Sequence, residues 1–370
     1  MKVLLTGSSG FLGWHMRVRL HALTDHEVVP VPRSQWSALP ELVQGADAVI
    51  HVAGVNRGTA RAVQGDNIAL AEALASAVRA SGSVTRVVYA NSIQADNESP
   101  YGRGKRSAGD LLTSAAEVSG AVYVDVRLPN LFGEHGQPRY NSFVATFVDA
   151  VLSNAVPEIE DRAVKLLHVQ DAAQSLITGL TTSKRALEPT GTPTTVHTVF
   201  DLLRSFADRY ASGDIPPLTT KLDVDLFNTL RAAMFPDRYP IDLTVHQDER
   251  GRLVEAVRAH GGQGQTFFST TAPGKSRGDH FHLAKVERFI VLNGTAQVAL
   301  RRLFSDDVVT FDVRGDAPQI IDMPTMWAHN ITNTGDSEVS TLFWTNTLFD
   351  PASPDTFPEP VHAKAEVPAS

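Results

Sequence analysis

At 370 residues the chain exceeds one ordinary hydrophobic core and reads as two domains, each long enough to bury its own. Its 33 Lys+Arg against 41 Asp+Glu give a formal net charge of -8 without a basic run, which excludes nucleic acid as a partner and points to a small-molecule substrate. The absence of cysteine excludes a disulfide framework and thiolate metal ligation. No run of 18 apolar residues suggests a membrane segment, and Met1-Lys2 leads straight into an apolar stretch without a signal peptide, so a cytoplasmic protein is expected.

Val3-Leu4-Leu5 reads as a buried strand, followed by a glycine-rich turn and a helix start. In Gly7-x2-Gly10-x2-Gly13 the missing side chains let backbone approach a pyrophosphate, whose charge sits on the helix N-terminus. Phe11 and Leu12 belong to this cofactor-binding turn. A second strand over 28–31 and a third over 48–54, which brings Ala53 to the cofactor set, give the β/α alternation of a Rossmann-type doubly wound parallel sheet. The second strand runs into Pro32-Arg33-Ser34 instead of an acidic residue. Arg33 there favours a 2′-phosphate, hence NADPH, although a solvated loop arginine is the other reading.

A fourth strand, Val87-Val88-Tyr89-Ala90-Asn91-Ser92, ends in a serine, and Pro100 opens a helix carrying Tyr101 and Lys105 on one face. A phenol with an ordinary pKa of about 10 needs a neighbouring cation before it exchanges protons at neutral pH, and Lys105 supplies one. Ser92 would hold a substrate carbonyl while Tyr101 gives it a proton.

These residues resemble the short-chain dehydrogenase/reductase superfamily in its extended, sugar-nucleotide-modifying branch. Arg127-Leu128-Pro129-Asn130-Leu131-Phe132-Gly133 and Leu167-His168-Val169-Gln170-Asp171-Ala172-Ala173 are similar to later landmarks of that branch. The resemblance implies that Asn130, Asn141 and Arg162 touch the nucleotide diphosphate. Dehydratases of the branch carry an acidic residue after the catalytic Ser/Thr; here Ser92 precedes Ile93-Gln94, which favours reduction over loss of water.

Pro189-Thr190-Gly191-Thr192-Pro193 reads as a loop, 196–210 as a helix, and 212–240 as short helices and turns closing a first domain of residues 1–240. A second domain is expected over 241–358, with strands over 253–257, 289–292 and 339–344, and a disordered tail over 359–370. Within it lies Gly274-x5-His280-x-His282-x4-Glu287-x6-Gly294. On a strand the imidazoles of His280 and His282 share one face, and Glu287 is expected from the next strand of a hairpin. His329, within Pro324-x4-His329-x3-Asn333, completes a set suited to Zn, Fe, Ni or Mn.

These two stretches resemble the paired signatures of the cupin superfamily, with Met326 where the second usually has glycine. The resemblance implies an all-β jelly roll. Asp248-x-Arg250-Gly251-x3-Glu255 and Pro273-Gly274-x2-Arg277-Gly278-x-His280 are also similar to sugar-nucleotide 3,5-epimerases, in which the histidine matching His280 is a base and not a ligand. Lys285 is a second candidate base, or an exposed strand lysine.

In this order the two halves resemble the bifunctional CapF-type proteins of capsular polysaccharide synthesis. The likeness implies that the cupin domain epimerises carbon 3 of a UDP-2-acetamido-2,6-dideoxy-4-hexulose. The first domain would then reduce carbon 4 with NADPH to UDP-N-acetyl-6-deoxy-L-talosamine, on the route to UDP-N-acetyl-L-fucosamine. It further implies zinc and a homodimer. Two rival readings are a nucleotide-sensing scaffold without turnover and an Fe(II) cupin that activates oxygen.

Overall fold

Continuous apolar strands require cover on both faces, and the protein supplies it. In the computed structural model, which describes residues 1–362, the chain begins with β1 (Lys2–Thr6), α1 (Phe11–Leu23), β2 (Glu27–Val31), α2 (Leu39–Gln44), β3 (Ala48–His51), α3 (Ala60–Ser81) and β4 (Arg86–Ser92). It continues through α4 (Pro100–Ser119), β5 (Val122–Leu128), β6 (Asn130–Phe132), α5 (Phe143–Leu152), β7 (Ala163–His168), α6 (Val169–Thr178), β8 (Ala186–Leu187) and β9 (Thr192–Thr195). The strand period sorts β1 between two cores. Leu4 packs with Leu74, Val78 and Leu112 of α3 and α4, whereas Val3 and Leu5 pack with Met16, Leu20 and Leu176 of α1 and α6.

The main sheet is a Rossmann-like parallel one in the order β2-β1-β3-β4-β5-β8. Only one crossover separates β2 from β3, so β1 is flanked by both. The switch point, where ligands of such sheets bind, therefore lies at the carboxyl end of β1, from which the glycine turn leaves.

The chain divides into two compact units, the first comprising Met1–Thr146 and Ile159–His197. The second holds Phe147–Glu158 and the chain from Thr198 onward, which differs from the boundary expected at residue 240. Its helices α7 (Val196–Tyr210) and α8 (Lys221–Met234) are followed by β10 (Ile241–Asp242), β11 (Val245–Asp248), β12 (Gly251–Val254), β13 (Gln265–Thr271), β14 (Ser276–Phe281) and β15 (Glu287–Asn293). Then come β16 (Thr295–Arg302), β17 (Val308–Arg314), β18 (Gln319–Met323), β19 (Trp327–Asn333), β20 (Val339–Thr345) and β21 (Phe357–Pro358).

The helices belong with the strands because buried charge ties them together. The Arg288 guanidinium of β15 clamps Asp322 of β18 at 2.8 and 2.9 Å, and Tyr210 of α7 donates to the same carboxylate. Arg231 of α8 donates to the Met323 carbonyl, and Asn228 Nδ2 reaches the Ala284 carbonyl at 2.7 Å. Burial pushes Asp322 up, but the charges of Arg288 and Arg231 outweigh it and hold the carboxyl below its usual range. In place of the expected short helices, α8 is a single one of 14 residues, started by a capping box between Thr220 and Asp223.

Two antiparallel sheets, β10-β18-β15-β20-β13 and β17-β16-β19-β14-β21, make up the rest with the separate β11-β12 hairpin. They face one another where Phe289 of β15 meets the His329 ring of β19 edge-on at 5.8 Å. Strand β14 pairs with β19 and β21, and β15 pairs with β18 and β20. The expected β14–β15 hairpin is thus absent: the chain crosses from one sheet to the other between His282 and Glu287. The strand expected over 253–257 ends at Val254. The first residues of the expected disordered tail are ordered, with Val361 fully buried and Arg301 paired to Glu359 at 2.6 Å; residues 363–370 lie outside the described residues.

Candidate active sites

At the end of β1 the glycines are required by space. Gly7 has φ +69°, and a Cβ there would stand 2.7 Å from Ala53 Cα; a Cβ on Gly13 would stand 2.0 Å from the Gly7 carbonyl oxygen. Gly10 caps α1 without a side-chain hydrogen bond, and no acidic residue occupies the first turn, so the amide end of the helix retains its positive field for an anion. This cradle, which any side chain would fill, fits a dinucleotide pyrophosphate. Arg33 stands exposed just after β2, at the start of a short 3-10 helix. Sequence reasoning missed Asn67, a buried residue of α3 that holds both the Val55 N–H and carbonyl at 3.2 and 2.6 Å and so shapes the loop after β3.

Strand β4 delivers Ser92 to the same end of the sheet, and Ser99 caps α4 through the Gly102 N–H at 3.0 Å, which fixes Tyr101 in the first turn and Lys105 one turn on. Tyr101 is hydrogen-bonded to Ser92; burial raises its pKa and that bond works against the rise, so it keeps its proton at neutral pH. Lys105 is buried, donates to the Ala90 carbonyl at 2.6 Å, and lies 4.1 Å from the Tyr89 ring centroid. Burial lowers its pKa to about 7, opposed by the Asp125 carboxylate. Asp125 faces Tyr89 across β4 and β5 and accepts from Asn91 Nδ2 at 2.8 Å, while Asn91 Oδ1 accepts from the Ser92 N–H at 2.9 Å. Sequence reasoning missed Asp125 as well; the polar positions 125 and 127, which interrupt an otherwise apolar strand, are the signal that could have found it. Asn130, Asn141 and Arg162 are all exposed on the first unit.

In the second unit His280, His282, Glu287 and His329 bring four donor atoms within 4.8 Å of one another. One carboxylate oxygen, Glu287 Oε2, stands 2.9 Å from His282 Nε2, 3.1 Å from His329 Nε2 and 3.9 Å from His280 Nε2. Burial pushes Glu287 up, yet the three imidazoles hold it well below the usual carboxylate range. Burial also lowers His329 to about 4, the neutral form a metal ligand needs. The remaining nitrogens of two rings are oriented by main-chain carbonyls, His329 Nδ1 by Trp327 at 3.0 Å and His282 Nδ1 by Asp355 at 2.5 Å. This N/O donor set fits one divalent ion.

A bulge between Gly278 and His280 re-aims the end of β14. Met326 adopts a left-handed φ of +63°, which glycine would supply without strain, and its N–H donates to the His282 carbonyl at 2.7 Å. The cluster opens into a cavity of about 730 Å³ bordered by Phe267, Phe268, Arg277, Lys285 and Phe343. His280 is its most exposed member, at 24%. Lys285 Nζ donates to the Pro354 carbonyl at 2.7 Å and to Thr356 Oγ1 at 3.1 Å. Asp248 and Arg250 pair with each other on the exposed turn between β11 and β12.

The family described as NAD dependent epimerase/dehydratase matches residues 3–190, and the polysaccharide biosynthesis C-terminal domain matches 246–357. A curated relative from Pseudomonas aeruginosa, UDP-2-acetamido-2,6-beta-L-arabino-hexul-4-ose reductase, is 32% identical over 96% of this chain and 98% of its own. The chain belongs to the CapF-type branch of the NAD dependent epimerase/dehydratase family. The crystal structure of the capsular polysaccharide assembling protein CapF from Staphylococcus aureus agrees: it is 28% identical with a TM-score of 0.60, covering 98% of this chain and all of that one. The spore coat polysaccharide biosynthesis protein SpsL of Bacillus subtilis is 26% identical over 30% of this chain and 81% of its own. As a CapF-type chain, the protein is an enzyme of the nicotinamide-dependent sugar epimerase and reductase kind in polysaccharide biosynthesis. No helix among its described residues is long and apolar enough to cross a membrane.

Proposed function

We propose that the chain is a bifunctional UDP-sugar enzyme. Its second unit, read as a cupin jelly roll, epimerises carbon 3 of a UDP-2-acetamido-2,6-dideoxy-4-hexulose, and its first unit reduces the carbon-4 ketone to UDP-N-acetyl-6-deoxy-L-talosamine, on the route to UDP-N-acetyl-L-fucosamine. The observation that carries this reading is the coexistence in one chain of a Ser92-bound, protonated Tyr101 and a four-donor cluster beside a cavity. A ketone serves both: its oxygen accepts a proton on reduction, and it acidifies the neighbouring C–H for inversion.

In the first unit, Gly7, Gly10, Phe11, Leu12, Gly13 and Ala53 would hold NADPH, with Arg33 on its 2′-phosphate, and the cofactor supplies hydride. Ser92 donates to the ketone oxygen, Tyr101 delivers its proton there, and the buried Lys105 charge eases that loss. Asn130, Asn141 and Arg162 are assigned to the nucleotide diphosphate.

In the second unit His282, Glu287 and His329 would hold zinc, which would supply Lewis acidity, and His280 is kept free of the metal. His280 lies furthest from Glu287 and nearest solvent, so it is the group placed to move the carbon-bound proton. Lys285 is engaged by two acceptors of residues 354 and 356, which leaves the base role to His280. We further assign the protein to the cytoplasm as a homodimer, the latter checked by light scattering.

The test is incubation of the protein with the 4-keto sugar nucleotide in deuterated buffer, with and without NADPH, followed by NMR. Tyr101→Phe should lower NADPH oxidation about 10²–10⁴-fold and leave deuterium exchange at carbon 3 intact. His280→Ala or Glu287→Ala should stop the exchange, and the metal content of the two variants separates ligand from base. A 4-keto sugar recovered unchanged from zinc-loaded protein and NADPH would refute the reading.

A further inference from the structure

The cluster is held from a part of the chain whose sequence announces nothing. Past β20 the chain returns along β14 as a strap over residues 354–361. Pro358 and Phe357 of β21 pair with His280 and Phe281, and the Glu359 N–H donates to the Asp279 carbonyl at 2.9 Å. The Val361 N–H reaches Asp279 Oδ1 at 3.1 Å, while the Val361 side chain is buried against Ala299 and Ala328.

At the head of the strap, Asp355 makes a concentrated set of contacts. Its carboxylate accepts three consecutive backbone N–H groups, from Leu283 at 2.9 Å, Ala284 at 3.0 Å and Lys285 at 2.7 Å. These belong to the crossover that separates His282 from Glu287. Its carbonyl meets His282 Nδ1 at 2.5 Å. Asp355 makes both contacts at a backbone φ of +44°, which asparagine and aspartate tolerate better than other residues with a Cβ. Lys285 then closes the strap from the other side through Pro354 and Thr356.

We propose that Asp355 is a positioning residue of the metal-ligand cluster. Its carboxylate fixes the turn that spaces His282 from Glu287, and its carbonyl selects the His282 tautomer that leaves Nε2 facing Glu287. The strap is thus part of the site, and the inference rests on the proposed reading of His282, Glu287 and His329 as metal ligands. Outer partners of this kind change metal affinity about 10–100-fold when removed.

The test is zinc release from the full chain into an excess of a chromophoric chelator, for wild type, Asp355→Gly, Asp355→Asn and His282→Ala. Glycine keeps the left-handed backbone without the carboxylate; asparagine keeps that backbone with one acceptor oxygen. Asp355→Gly should release zinc about 10–100-fold faster than wild type, with Asp355→Asn between them. Release from Asp355→Gly at the wild-type rate, while His282→Ala sheds its zinc, overturns the proposal alone. Equally fast release from both Asp355 variants, with zinc-free unfolding midpoints lowered alike, reduces Asp355 to a general stabilising role and also overturns it. Unchanged zinc retention in His282→Ala removes the ligand reading and the proposal with it.

Discussion

Replacing Lys105 with methionine should make the first unit more stable while removing its reductase chemistry. The ammonium is buried, with the Ala90 carbonyl at 2.6 Å and the Tyr89 ring at 4.1 Å. Burial takes its pKa from 10.5 to about 7. At 1.36 kcal/mol per unit, that fall corresponds to about 5 kcal/mol against the charged form. Methionine preserves the apolar stem and removes the charge. Losing the hydrogen bond and the contact with Tyr89 costs about 1–2 kcal/mol, so a net gain of about 3–4 kcal/mol is expected at pH 7. The sign follows from proton binding: between pH 7 and 10.5 the unfolded lysine still carries its proton and the folded one does not. The unfolded state therefore binds more protons, and wild-type stability rises with pH across that window. The charge penalty is full below pH 7, so the advantage of Lys105→Met should be largest there and shrink towards pH 10. Urea unfolding at fixed ionic strength, read by hydrogen exchange at β4 and β5, measures it. A variant less stable than wild type at pH 7, or a difference that ignores pH, would refute the burial argument.

Gly13→Ala places a Cβ 2.0 Å from the Gly7 carbonyl, so the turn must shift. A loss of about 1–3 kcal/mol is expected together with loss of NADPH binding in a fluorescence titration; normal binding would disqualify the turn as the pyrophosphate cradle. Asp322→Asn strands the buried Arg288 guanidinium, whose partner oxygens lie at 2.8 and 2.9 Å. Calorimetry should show the second unit destabilised by about 3–5 kcal/mol, and an unmoved transition would mean the pair contributes nothing. Arg33→Ala should weaken NADPH binding about tenfold and leave NADH binding unchanged, since only the former carries a 2′-phosphate; equal effects on both would make Arg33 a solvated loop residue.

Features written in local spacing were legible in the sequence. The glycine turn, the helix starting at Pro100, Tyr101 and Lys105 one turn apart, and the set of His280, His282, Glu287 and His329 each follow from a period or a short motif. What escaped is contact across long sequence separation. Spacing cannot tell a hairpin from a crossover between facing sheets, so Glu287 was expected beside β14 and instead enters from β15 of the other sheet. The helices before residue 240 read as the close of the first domain because nothing local shows that Arg231 will bond the Met323 carbonyl or Tyr210 the Asp322 carboxylate. Asp355 sits among prolines and small residues that read as coil. Its partners lie about seventy positions upstream, as the separations of 70 to 73 show.

The two sites use the same force with opposite outcomes, and neighbouring charge decides between them. Around Lys105 the Asp125 carboxylate opposes burial, and burial prevails, so the lysine drifts towards neutrality while Tyr101 holds its proton as a donor. Around Glu287 three imidazoles converge on one oxygen, their combined pull exceeds the cost of burial, and the carboxylate stays ionised in the interior. A reductase needs a proton donor aimed at an oxygen; on the proposed reading, the epimerase half needs a fixed anion beside a C–H made acidic by the same oxygen. Each requirement is met by how many counter-charges the fold places around one buried group. Substitutions that change that count, and not merely those that remove a named catalytic side chain, should therefore shift one activity without the other.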